Sequence, residues 1–182
     1  SIHLNKATET DLKFNYTRDI VETGRFNYLQ GKNDFSIIEP RFVNINFFYE
    51  HRTLSSGLTH RFGSNFKTEL RLPKSDIYQI RDYSFLLNDQ EFSEYTLSEA
   101  TFSFLWRPFA KFLKTPIATK LIEKGYPKFT GQITKGISGI GGSDFDYTKF
   151  GLLVEHEIKR LNQSRTEIIL EGNYATGEVP LT

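Results

Sequence analysis

Leu58-Thr59-His60-Arg61-Phe62-Gly63-Ser64-Asn65-Phe66-Lys67-Thr68-Glu69-Leu70-Arg71-Leu72 alternates without a break. Of its eight even positions, five are Leu or Phe (Leu58, Phe62, Phe66, Leu70, Leu72). Its seven odd positions, Thr59, Arg61, Gly63, Asn65, Lys67, Glu69 and Arg71, carry no large apolar side chain. Successive side chains of an extended chain point to opposite faces, so the stretch reads as a strand with one apolar and one strongly polar side. It is also long, since strands of ordinary water-soluble domains run about 5–6 residues.

The same pattern recurs on both sides of it. In Arg41 to His51, Val43, Ile45, Phe47 and Tyr49 oppose Asn44, Asn46 and Glu50; in Thr96 to Arg107, Ala100, Phe102, Phe104 and Trp106 oppose Glu99, Thr101, Ser103 and Arg107. Phe150, Leu152, Val154 and Ile158 oppose Glu155, Glu157 and Lys159, and Ile168, Leu170 and Tyr174 oppose Arg165, Glu167, Glu171 and Asn173. Weaker alternation covers Leu12–Thr17, Ile77–Leu86 and Lys128–Ile137, with an edge piece near Phe26–Ile38, giving about eight or nine strands. Turn chemistry is expected at Ser55-Ser56-Gly57, Pro73 to Asp76, Asn88-Asp89, Gly139 to Asp146 and Asn162 to Ser164. Short connections favour antiparallel hairpins. One helix is expected over Thr115–Gly125, with Thr115 as cap, Pro116 in the first turn and Gly125 closing the end.

Composition narrows the function classes. The 182 residues carry 23 Lys and Arg against 22 Asp and Glu, so no excess charge argues for a nucleic-acid partner. Cysteine is absent, which removes thiolate metal sites and cysteine nucleophiles. No apolar run approaches the roughly 18 residues of a membrane helix. Yet 15% of the chain is aromatic, with 17 Phe and 9 Tyr, while mean hydropathy is −0.43. Only interleaving of apolar with polar residues reconciles the two. The chain has no Met and shows no signal stretch at its start, and it ends on the turn-like Gly177-Glu178-Val179-Pro180-Leu181-Thr182. Residues 1–182 are therefore expected to be one segment of a single barrel domain that continues beyond both ends.

A sheet with one apolar face can turn that face inward as a soluble sandwich or outward against lipid as a barrel. Strand length suits a bilayer crossing of about 9–11 tilted residues. The polar faces mix both charge signs, and aromatics gather near strand ends (Phe47, Phe48, Tyr49, Trp106, Phe109, Tyr174), as interfacial girdles do. The expected fold is all-β: part of an antiparallel up-and-down transmembrane β-barrel of about eight or nine strands with one short helix. Lipid would then meet Val43, Ile45, Phe47, Phe62, Phe66, Leu70, Phe102, Phe104, Trp106, Phe150, Leu152, Val154, Ile168 and Leu170. The lumen would be lined by Arg61, Asn65, Lys67, Glu69, Arg71, Glu99, Arg107, Glu155, Glu157, Lys159, Glu167 and Glu171.

A resemblance rests on Tyr126-Pro127-Lys128-Phe129-Thr130, Lys135-Gly136-Ile137 and Gly142-Ser143-Asp144-Phe145-Asp146-Tyr147-Thr148-Lys149, with Glu171-Gly172-Asn173 and Gly177 to Leu181. These runs resemble a family of Bacteroidota outer-membrane proteins labelled carboxypeptidase-like regulatory-domain proteins of unknown function. The resemblance is best over Ser98–Thr182. It implies that the segment is barrel, without the periplasmic β-sandwich that gives the family its label, and it implies no peptidase activity.

Candidate chemistry is sparse. Asp144, Asp146, Thr148 and Glu155 imitate the spacing of a calcium loop, but Lys149 stands where the sharp turn needs Gly. Gly136 to Ser143 lacks the Gly-Lys-Ser/Thr ending of a phosphate loop. His3, His51, His60 and His156 have no metal-type spacing. No cofactor, metal or catalytic residue is expected. The expected role is a non-enzymatic scaffold of the bacterial outer membrane, or a component of envelope transport or assembly. Its partners would be outer-membrane lipids and other envelope proteins, with no nucleic acid. The alternatives are a soluble ligand-binding β-barrel or sandwich, and an outer-membrane hydrolase.

Overall fold

The computed structural model describes residues 2–5, 9–22, 48–80, 85–87, 90–114, 119–159 and 164–180. The expected strand pieces at 26–38 and 41–47, with Val43, Ile45 and Phe47, lie outside them. Twelve strands are described: β1 (Ile2–Asn5), β2 (Thr10–Glu22), β3 (Phe48–Phe62), β4 (Phe66–Gln79), β5 (Phe85–Leu87), β6 (Gln90–Phe92), β7 (Glu94–Trp106), β8 (Lys111–Lys114), β9 (Thr119–Glu123), β10 (Lys128–Gly136), β11 (Tyr147–Lys159) and β12 (Arg165–Gly177). Eight form one antiparallel sheet in the order β1-β2-β3-β4-β7-β10-β11-β12. Hairpins β5–β6 and β8–β9 are separate two-stranded excursions from an otherwise up-and-down meander. The eight-stranded sheet is not closed on itself. The structure therefore shows an all-β antiparallel sheet and not a complete barrel.

Leu58–Leu72 is not one strand. It is the hairpin of β3 and β4, with Phe62 paired to Phe66 across Gly63-Ser64-Asn65. Gly63 takes a left-handed φ of 65°, which an L side chain rarely adopts. Three intervening residues keep the parity of the chain, so even positions on both strands share a face and the alternation passes straight through the turn. The turn is tied to the end of β7: Arg107 N–H donates to Asn65 O at 2.8 Å, and the Asn65 amide donates to Pro108 O at 2.9 Å.

Two expected turns are strand interior. Ser55, Ser56 and Gly57 pair with Pro73, Leu72 and Arg71 in the middle of β3 and β4. Proline cannot donate to a ladder. Accordingly, β4–β7 pairing runs through Arg71↔Thr101, skips Leu72 and Pro73, and resumes at Lys74↔Ser98. The expected Thr115–Gly125 helix is likewise absent. Thr119–Glu123 is a strand pairing with Lys111–Lys114, and residues 115–118 lie outside the described ones. An exposed Lys111–Glu123 ion pair at 2.7 Å ties the hairpin at its base. Gly125 (φ 61°) lets the chain pass so close to Phe109–Ala110 that an added Cβ would sit 2.1 Å from Ala110 N.

Two cross-strand pairs set a glycine beneath an aromatic ring. The Phe104 ring covers Gly131, and the Tyr147 ring covers Gly136, where added Cβ atoms would lie 2.2 and 2.4 Å from ring carbons. Each ring thereby lies flat on the sheet and fills the missing side chain's place. A small apolar core of Ile77, Tyr95, Leu97, Phe145 and Tyr147, with Val179 against it, sits where β4 ends and β7 and β11 begin. The β10–β11 connection is zipped onto the start of β7 there: Thr96 N–H donates to the Asp144 carboxylate at 2.9 Å, and Asp144 N–H returns to Thr96 O at 3.1 Å.

Candidate functional site

Register decides which side chains share a face. Leu12, Leu58, Leu70, Phe102, Ile133, Phe150 and Tyr174 are joined in one row across seven strands by successive pairings from β2 to β12. From Leu58 to Tyr174 every member of that row is 41–65% exposed. A second row joins Phe62, Phe66, Trp106, Phe129, Val154 and Leu170. Its aromatic part holds two ring pairs, with centroids 6.1 Å apart for Phe62–Phe66 and 5.3 Å for the stacked Trp106–Phe129. Water-soluble monomers rarely expose apolar patches beyond a few hundred Å². Here a band of the face is apolar and, among the described residues, uncovered, while beyond the band the same face carries Arg18, Glu50, Arg52 and Lys74.

The apolar band also runs obliquely across the strands. On β11 it extends from Ile158 to Phe150 and centres on Val154; on β3 it extends from Phe62 to Leu54 and centres on Leu58. Val154 lies in the row of Phe62, four residues along β3 from Leu58. Four residues at about 3.4 Å each, over four strand spacings of about 4.8 Å, give an inclination of roughly 35°. Strands of membrane barrels tilt by about 35–45° to the barrel axis, so a band level with a bilayer should cross their rungs at this slope.

The opposite face is more enclosed and mixed: it carries the charged and hydroxyl side chains together with the buried Ile77, Tyr95, Leu97, Leu105, Tyr147 and Leu153. Thr59, Thr101, Ser103, Thr130 and Thr134 are buried, and the Thr101 and Thr134 hydroxyls lie 3.1 Å apart. Among the described residues the β8–β9 hairpin reaches this side where the Arg61 guanidinium lies over the Phe112 ring at 5.8 Å, and no helix covers it. Short hydroxyl side chains become buried this way when a sheet curls toward them. Lys128 and Glu155 form an ion pair on this face, with side chains 13% and 5% exposed. Arg61 pairs with Glu9 at 2.7 Å, the Thr59 hydroxyl donates to Glu69 at 3.2 Å, and the Tyr147 hydroxyl donates to Glu99. Glu157, half-buried with its side chain 3% exposed between Lys159 (3.6 Å) and Arg165 (3.3 Å), lines a 620 Å³ pocket near the β11–β12 connection.

Each expected position within the described residues can now be placed. Phe62, Leu70, Phe102, Trp106, Phe150, Leu152, Ile168 and Leu170 are exposed on the apolar face; Phe66, Phe104 and Val154 lie on it half-buried among their neighbours. Arg61, Lys67, Glu69, Arg71, Glu99 and Glu157 are half-buried on the polar face, and Glu155 is fully buried there. Asn65 and Arg107 belong to turns beyond the strand ends and not to a strand face, because the hairpin break at residues 63–65 and the end of β7 at Trp106 take them out of register. Lys159, Glu167 and Glu171 lie toward the open edge and are exposed. Sequence reading missed the Lys128–Glu155 pair. Both residues fall on the same face only once the β10–β11 register is known.

The carboxylates that imitate a calcium loop are engaged elsewhere. Asp144 accepts from Thr96 N–H, and Asp146 pairs with Lys135. No group of three His, Asp or Glu among the described residues is placed to hold a metal. His51 Nδ1 lies 2.7 Å from the Thr53 hydroxyl, which is 2.8 Å from the Ser75 hydroxyl. In the β8–β9 hairpin, the hydrogen bond from Lys111 holds the Glu123 carboxyl below its ordinary range.

No curated protein and no solved structure matches the chain. A family model described as "Family of unknown function (DUF5686) C-terminal domain" matches residues 22–174, from the end of β2 through most of β12. The chain belongs to that family, DUF5686, as its C-terminal domain.

Proposed function

We propose that the chain is a membrane-embedded sheet of an outer-membrane β-barrel, acting without enzymatic chemistry as a scaffold or as part of an envelope transport or assembly device. The observation that carries this reading is the uncovered apolar row from Leu58 to Tyr174, backed by buried hydroxyls and ion pairs. In a soluble sandwich the row from Leu58 to Tyr174 would instead be covered by a second layer. The oblique band adds a second, independent support. The Bacteroidota origin and the accompanying regulatory domain implied by the resemblance belong to the same proposal.

Fractionation tests it. The full-length gene product, expressed with its own leader in its own host, should pellet with outer membranes and resist extraction at alkaline pH. It should also migrate faster on gels before heating than after. Recovery as a monomer in the soluble fraction would contradict the reading.

A further inference from the structure

On the polar face of β3, the side chains Thr53, Ser55, Gly57 and Thr59 are small, and they form a floor between β2 and β4. Gly57 sits in register between Lys13 on β2 and Arg71 on β4, so nothing larger than a hydrogen separates these two cations across the floor. Lys67, two rungs along β4 from Arg71, pairs in register with Arg61. Of the neighbouring charges, Arg61 is paired with Glu9, and Asp11 lies against the His3 ring. Glu69 stands between Lys67 and Arg71 and accepts from Thr59. With His3 neutral, as in the chain's net charge of +1, Lys13, Arg61, Lys67 and Arg71 stand against Glu9, Asp11 and Glu69 among these described residues, a local surplus of positive charge.

We propose that this groove binds a phosphate group, with Arg71 and Lys67 on one wall, Lys13 on the other and the Ser55 and Thr59 hydroxyls beneath. A phosphate group offers three acceptor oxygens, enough to meet Arg71, Lys67 and Lys13 together, whereas a carboxylate offers two. Guanidinium and ammonium groups make their strongest hydrogen bonds to such oxyanions. The inference rests on the proposed function only in placing the groove inside a lumen. The groove itself is a property of the polar face in either solvent.

The test uses the full-length protein in detergent micelles. Inorganic phosphate is titrated against chloride at constant ionic strength, and the midpoint of thermal unfolding is read. A saturable rise is expected for the native protein. The Lys67→Gln/Arg71→Gln variant should bind about tenfold more weakly or worse, as loss of charge-assisted hydrogen bonds implies. Glu69→Gln should bind more tightly, and a variant that merely folds badly cannot produce that gain. Two further arms separate the sources. A soluble sugar phosphate that matches inorganic phosphate assigns a solute, whereas tighter binding of a monoacyl lipid phosphate assigns a lipid headgroup. No saturable effect, or equal effects in the native and Lys67→Gln/Arg71→Gln proteins, would overturn the proposal. Failure of membrane fractionation with phosphate binding intact would remove the membrane reading and leave the groove standing.

Discussion

Leu70→Arg should abolish or cripple insertion into lipid while barely affecting a chain held in detergent of matched charge. Leu70 lies in the middle of the apolar row between Leu58 and Phe102 and is 44% exposed. If hydrocarbon solvates that row, an arginine near the bilayer midplane costs about 2–4 kcal/mol. That is a shift of roughly 30- to 700-fold in the folded population. If water solvates it, an exposed substitution outside any packing cluster changes stability by about 0.5 kcal/mol or less. The two solvents therefore differ in outcome by a factor that urea titration in phosphatidylcholine vesicles resolves easily. Depth supplies the control. Phe102→Arg, in the same row, should match Leu70→Arg, whereas Leu54→Arg on β3, toward the other end of the band, should cost only about 0–1 kcal/mol. Equal, small effects at all three positions would show that the face is wet.

The second large effect concerns the polar side. Glu155→Leu leaves the Lys128 ammonium, 13% exposed, without its carboxylate. Breaking one partner of a buried pair costs about 3–5 kcal/mol, because the remaining charge stays desolvated. Lys128→Met should cost a similar amount for the mirror-image reason. The double variant Lys128→Met/Glu155→Leu should recover most of the loss, since replacing both partners with apolar groups of similar size is often neutral. Equilibrium unfolding of the four proteins closes the cycle, and additive losses would mean that the pair contributes nothing as a pair. The outcome bears on the lumen too. A pair freely bathed by water would show a coupling of about 1 kcal/mol or less.

The face pattern was legible in the sequence because the side-chain period of a strand is two, and it survives any turn with an odd number of residues. The same fact hid the hairpin. Gly63, Ser64 and Asn65 are turn formers, but their alternation matches that of their flanks, so Leu58–Leu72 reads as one strand. The reverse error arose at Ser55 to Gly57 and at Pro73. These turn-forming residues sit side by side on paired strands, which places the small floor beside a proline that cannot donate. That relation is long-range and leaves no local trace. At 115–125, the Pro-then-Gly order that usually brackets a helix served other ends. Gly125 is needed for close passage over Ala110, and Thr119–Glu123 found a strand partner in Lys111–Lys114. The buried Lys128–Glu155 pair, the aromatic ring pairs and the slope of the apolar band all depend on register, which no single strand encodes.

The most direct measurement is solvent accessibility along both faces in lipid vesicles. The chain has no cysteine, so single cysteines can be introduced and spin-labelled one at a time. Labels at Leu58, Leu70, Phe102 and Val154 should be relaxed strongly by dissolved oxygen and weakly by a water-soluble nickel chelate. Labels at Lys13, Arg71 and Lys149 on the polar face should show the opposite preference. Labels on the apolar band that are shielded from both relaxants, packed beneath another layer of protein, or that collide freely with the nickel chelate would contradict the account.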